Sequence, residues 1–152
     1  MSAIAITLLQ RFLNRTARSL ACYSVHVRPW VSYRREGLWQ VIEEIASRHR
    51  ELSIRLSEEI VRRGGIPNPG GFPPANAGYH DLAIEYIAPK IISELEKTLN
   101  AVKQALCNYH DDSKLRELLQ QIADEFTAEL ESLQESLYGT ESDNHSNHSA
   151  AA

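Results

Sequence analysis

Three polar side chains interrupt otherwise apolar stripes in this sequence: Thr16, His49 and Glu85. Each stands where a helical period turns its side chain toward a core. An imidazole and a carboxylate facing one another across helices are donors that zinc, iron or manganese accept. As a set these three are too few and of the wrong types for a strong metal site, because a hydroxyl is a weak donor. The chain speaks more clearly of its fold than of its activity.

The elements that would position them follow from the spacing of apolar residues. Leu9, Leu13, Thr16, Leu20, Tyr23 and Val27 recur in steps of four and three and predict one helix over 4–28, with Pro29 at its end. Leu38, Ile42, Ile45, His49, Leu52, Leu56 and Ile60 predict a second over 38–63, stopped by Gly64 and Gly65. From Gly64 to Gly78 the chain carries five Gly and four Pro, which no regular element survives, so a long connection is expected. Glu85, Ala88, Ile92, Leu95, Leu99, Val102, Leu106 and Tyr109 predict a third helix over 80–109, with Pro89 removing the bond to the Glu85 carbonyl. Asp111, Asp112 and Ser113 supply a turn and cap, and Leu115 through Leu137 a fourth helix over 112–138. The expected architecture is all-α: an antiparallel four-helix bundle over 1–138, followed by a disordered polar tail over 139–152 that holds His145 and His148.

Composition narrows the class. At 152 residues, 43% hydrophobic and 24% charged, the chain fits one domain with a real core. No run approaches the roughly 18 unbroken apolar residues of a membrane span, so a cytoplasmic protein without a membrane partner is expected. Residues 1–63 hold eleven Arg against six acids, and 64–152 five basic residues against fourteen acids. A net charge of −4 argues against nucleic acid, and attraction between the two halves is the expected use of the asymmetry. The first 35 residues carry six Arg and no acid, as a transit peptide does, but their apolar stripe makes them a bundle helix. Cys22 and Cys107 are expected as two buried free thiols. Neither a nucleotide-binding Gly-rich loop nor a Gly-x-Ser-x-Gly or His-Glu-x-x-His motif occurs.

With the stripes placed, three short stretches resemble the ferritin-like superfamily, nearest in pattern to bacterioferritin and rubrerythrin. Tyr23-Ser24-Val25-His26 followed by Trp30 resembles the end of the first ferritin-like helix. Glu58 to Pro67 resembles the end of the second helix and its exit, and Asp81 to Glu85 the segment bearing the third helix's glutamate. The likeness spans roughly residues 8–138. Di-iron members supply a Glu from each of two helices and Glu-x-x-His from each of the others. Carried over, the first glutamate falls at Thr16, and the second helix's pair at His49 and Leu52. The third helix's glutamate falls at Glu85, and the fourth helix's pair at Ile122 with Glu125 or Phe126 with Glu129. Two carboxylates and one imidazole cannot offset two divalent irons in an apolar core, so the resemblance implies a degenerate site without ferroxidase chemistry.

His49 then has two readings. It is a neutral core histidine bonded to Thr16 or Glu85, in which case leucine would replace it harmlessly. Alternatively it is one ligand of a single iron, zinc or manganese ion, shared with Glu85 and Glu125 or Glu129. The corresponding functions are a non-enzymatic binding or scaffold module without a cofactor, and a metal-dependent redox or iron-handling protein. The only Met is Met1, so haem held by an axial Met is excluded. The resemblance implies a homodimer or another protein partner, and Trp30, Val31, Tyr33 and Trp39 are the candidate surface.

Overall fold

The computed structural model describes residues 3–79 and 82–139. These are mostly helical, with no β-strand among them. There are five α-helices: α1 (Ala3–Ala17), α2 (Leu20–Val27), α3 (Glu36–Arg62), α4 (Ile84–Asn108) and α5 (Ser113–Gln134). A π-helical turn over Glu135–Gly139 extends α5, and 3₁₀ turns occupy Tyr33–Arg35 and Pro74–Tyr79. Of the expected tail over 139–152, Gly139 ends the π-helical turn, and 140–152 with His145 and His148 lie outside the described residues, as do Met1, Ser2, His80 and Asp81. None of the described helices is long and apolar enough to cross a membrane.

Where one first helix was expected there are two. Ser19 leaves the helical path (φ −67°, ψ 158°), and its hydroxyl accepts from the Cys22 N–H at 3.3 Å. Glu94 Oε1 accepts from the Leu20 N–H at 2.9 Å, so two of the orphan donors that open α2 are satisfied by side chains. The break contains neither Gly nor Pro, and past it the buried residues are Leu20, Ala21, Cys22 and Ser24, while Tyr23 and Val27 of the expected stripe are only half-buried.

Both α1 and α2 pack on α3, α4 packs on α5, α3 also meets α5, and α2 meets α4. The apolar stripes meet between them, sealing Phe12, Ile42, Ile45, Leu52, Leu56, Ile60 and Phe126 from solvent. Truncating one of these aliphatic side chains to alanine is worth about 2–5 kcal/mol. α3 ends in a Schellman motif: Gly65 N–H bonds Ile60 O, Gly64 N–H bonds Val61 O, and Gly64 takes φ +86°. From Gly64 to Pro73 the chain is free of helix. Asn14 Nδ2 and Gln10 Nε2 of α1 donate to the Pro69 and Ile66 carbonyls and hold this stretch against the helices.

The far end is closed by charge. Arg63 donates twice to Asp112 at 2.6 and 2.8 Å and once to Glu59 at 2.7 Å, while Arg62 also bonds Glu59. Asp112 in turn caps α5 through the Leu115 N–H. The Arg63 hydrogen bonds hold the Asp112 carboxyl down to about 2, against the smaller opposing effect of burial. This fork joins a basic helix end to an acidic turn, one instance of the contrast between the two halves of the sequence.

Candidate functional site

His49 sits in the middle of α3, 1% exposed, with both ring nitrogens engaged. Nδ1 is 2.7 Å from Ser19 Oγ, and Nε2 is 2.8 Å from Glu129 Oε2 on α5. The ring stacks on Phe126 at 4.7 Å between centroids and 20° between planes. Glu129 is fully buried, and its second oxygen, Oε1, has no hydrogen-bond partner among the described residues.

Charge follows from this geometry. Burial pulls the imidazole down. The neighbouring Cys22, together with the hydrogen bond to Glu129 and the charge of its carboxylate, outweighs it and pushes His49 up to about 9. The raised pKa favours the doubly protonated ring, in which Nδ1 donates to Ser19 and Nε2 to the carboxylate. Ser19 Oγ accepts from His49 and from the Cys22 N–H at once, so the break between α1 and α2 is tied directly to the core pair. The neutral histidine bonded to Thr16 or Glu85 is replaced by a buried ion pair with different partners. A buried pair contributes little net stability, but removing one member strands the other.

The remaining candidates are dispersed. Glu85, in the first turn of α4, lies 3.7 Å from Arg35 Nε. Glu125 accepts from Gln121 Nε2 at 3.3 Å, and burial raises its pKa, with the nearby Glu129 charge adding to the rise. Of the fourth-helix candidates, Phe126 stacks on His49 and Glu129 bonds it. Thr16 is fully buried and turns its hydroxyl back on the Phe12 and Leu13 carbonyls at 3.0 and 3.1 Å. Leu52 is packed in the apolar core. Among the described residues no three His, Cys, Asp or Glu side chains are placed to hold a metal ion. The donor set does not fit a di-iron centre, since Thr16, Leu52 and Phe126 offer no usable donor and the imidazole is committed to hydrogen bonds.

Two participants escaped the stripe pattern. Ser19 carries a cap residue's signature, but nothing in the sequence ends α1 before it. Glu94 lies beside the stripe, between Ile91 and Leu95. Burial raises its pKa, while the Leu20 N–H and the His49 charge draw it back. Cys22 is buried and its thiol donates to the Thr16 and Ala46 carbonyls at 3.5 and 3.7 Å, whereas Cys107, expected buried, is exposed.

A second polar feature lies on the surface between α2, α3 and the Gly/Pro-rich stretch. Arg18, Arg28 and Arg50 line a cleft of about 800 Å³, with Cys22 and Phe72 in its walls. Arg28 closes α2 in the left-handed region, at φ 51° and ψ 80°. It is the one non-glycine residue with positive φ among the described residues. That conformation costs about 1 kcal/mol for a residue with a Cβ, and glycine usually fills it.

No protein-family model, no curated protein and no solved structure matches this chain.

Proposed function

We propose that this chain is a ferritin-like four-helix bundle, with α1 and α2 together forming the first helix, that works without a di-iron centre as a non-enzymatic scaffold binding a protein partner, in the first instance a second copy of itself. The observation that carries the reading is the closed polar core. His49 spends both nitrogens on Ser19 and Glu129, which turns a would-be ligand into a structural clasp between α2, α3 and α5. The partner surface is the end of the molecule where Trp30 (68% exposed), Tyr33 (88%), Tyr86 (67%) and Tyr138 (54%) face solvent. Bonds from Ile84 N–H to Trp30 O and from Arg35 to Glu85 and the Leu137 carbonyl bring their segments together. Exposed aromatics gathered from separate elements favour a protein interface over bare solvent. Sedimentation of the full chain tests this: a dimer is expected, and Trp30→Ala with Tyr33→Ala should shift it to monomer. A monomer at high concentration would end the self-association reading.

One observation favours the metal-handling alternative. Glu129 Oε1 is buried without a partner among the described residues, and such an oxygen is under-coordinated. A single iron, zinc or manganese ion taking Glu129 and displacing the His49 proton would satisfy it, without Glu85. Elemental analysis of untagged protein separates the two readings, because the scaffold carries no stoichiometric metal.

A further inference from the structure

The arginine cleft is distinct from the core clasp, and the scaffold reading leaves it unused. Its walls carry no Asp or Glu. Arg28 and Arg50 enter no ion pair among the described residues. Arg18 is employed differently: its Nε donates to the Gly70 carbonyl at 2.6 Å, and its guanidinium lies 5.3 Å from the centre of the Phe72 ring. Phe72 also meets Tyr23 edge-on at 5.3 Å and stacks near His26 at 6.2 Å. The loop wall is therefore pinned to α2, and the cleft is set before anything binds.

Two features make this more than a solvated basic face. Gathering guanidinium groups around one concavity without a carboxylate leaves mutual repulsion that an anion relieves. Arg28 also holds its guanidinium at the C-cap of α2, a backbone position where glycine would be easier. Guanidinium forks match phosphate oxygens two at a time, and several together exceed what a single carboxylate can neutralise. A long polyanion fits poorly, because the chain as a whole is acidic, at −4, and the basic surface is local.

We propose that the cleft binds a small, multiply charged phosphoryl compound, a phosphate monoester or a diphosphate. Arg28 and Arg50 engage its oxygens, and Arg18 positions the loop that closes one side. This goes beyond the scaffold reading and does not depend on it, since neither the core pair nor the aromatic end takes part.

Calorimetric titration of the full chain with pyrophosphate and, separately, with phenyl phosphate tests it. Saturable one-site binding of at least one probe is expected; pyrophosphate alone would assign a diphosphate, and phenyl phosphate alone a monoester. Arg28→Gln and Arg50→Gln should each weaken binding about tenfold or more, while Arg55→Gln, an exposed arginine of α3 outside the cleft, should leave it unchanged. Arg28→Gly separates folding from binding: its thermal midpoint should hold or rise, and its binding should be lost. The proposal is overturned if neither probe binds at millimolar concentration or if Arg55→Gln costs as much as Arg50→Gln. It is equally overturned if Arg28→Gly still binds, or if a single-stranded oligonucleotide binds through these arginines while both small probes fail.

Discussion

His49 Nε2 of α3 and Glu129 Oε2 of α5 are 2.8 Å apart, in side chains that are 1% and 0% exposed. The pair crosses the core at the level where Phe126 stacks on the imidazole, and Ser19 completes it from the start of α2. Three elements distant in sequence thereby meet at one ring, α3 and α5 through the charged contact and α2 through the Ser19 hydrogen bond. Apolar side chains alone would tolerate small slips of one helix along another; a buried ion pair does not, because misalignment strands a charge.

Removing one partner is the direct test. His49→Leu, harmless for a neutral histidine, should here destabilise the protein by about 3–5 kcal/mol, because Glu129 is left buried without its cation. Combining it with Glu129→Leu should recover most of the loss, giving a large coupling energy in a double-mutant cycle. Denaturant unfolding of the four proteins measures it. A mild effect of His49→Leu alone would mean that the carboxylate is protonated or reaches water.

Stability should fall on the alkaline side. The folded-state pKa of His49 is raised to about 9 from an ordinary 6.5, so the native state holds its proton more tightly than the unfolded chain does. The contribution is complete below about pH 6.5, shrinks above it and is gone once the pH passes about 9. Each tenfold gain in proton affinity is worth about 1.4 kcal/mol, so the loss amounts to a few kcal/mol. Unfolding midpoints measured across that window should decline in the wild type and much less in the double leucine variant.

How much of this is legible in the sequence depends on which interaction each feature rests on. Periodicity is local, so the helical character and the apolar sides of Leu38–Ile60 and Leu115–Leu137 can be read directly. The interruption at Ser19 cannot, because it is stabilised from outside: Glu94 holds the next residue from 74 positions away, and His49 holds Ser19 itself from 30. His49 is recognisable as a polar residue on a core face. Its partner is not, because the axial offset between α3 and α5 decides between Glu125 and Glu129, and that offset is a property of packing. Glu85 misleads for a related reason: it shares the stripe of its helix but lies in the first turn, within reach of Arg35. The acid-free arginines of the first 35 residues are visible, whereas their meeting with Arg50 in one cleft needs the fold.

At the opposite end, Asp112→Asn isolates the Arg63 fork. Asparagine keeps a side-chain oxygen for the Leu115 N–H but loses the charge that Arg63 grips twice, for an expected cost of about 1–3 kcal/mol. The pH dependence has the opposite sign from that of His49. The Asp112 carboxyl is depressed to about 2 from 3.8, so its contribution is present above 3.8 and vanishes as the pH falls through about 2. Stability of the wild type should therefore drop across that acid window, and Asp112→Asn should flatten the drop. An acid limb unchanged by the substitution would remove the fork as a source of acid sensitivity.

The last prediction concerns ferrous iron, because the resemblance to ferritin-like proteins would suggest that the chain oxidises it. Such chemistry needs two irons held close together by shared carboxylates, with imidazoles completing each shell. Here Thr16 turns its hydroxyl back into α1, Leu52 offers no donor, Glu85 is held by Arg35, and His49 and Glu129 are bonded to each other. The purified protein should therefore oxidise ferrous iron no faster than air does in its absence. Thr16→Glu, His49→Glu and Leu52→His together supply the donors that the resemblance implies for the first two helices, next to Glu129. They should raise metal affinity while lowering the stability of the metal-free protein, since buried carboxylates without a cation are costly. Absorbance-monitored oxidation and thermal unfolding with and without iron read both effects. Saturable, oxygen-dependent turnover by the unmodified chain, at about two irons per chain, would mean that the His49–Glu129 clasp opens to admit metal.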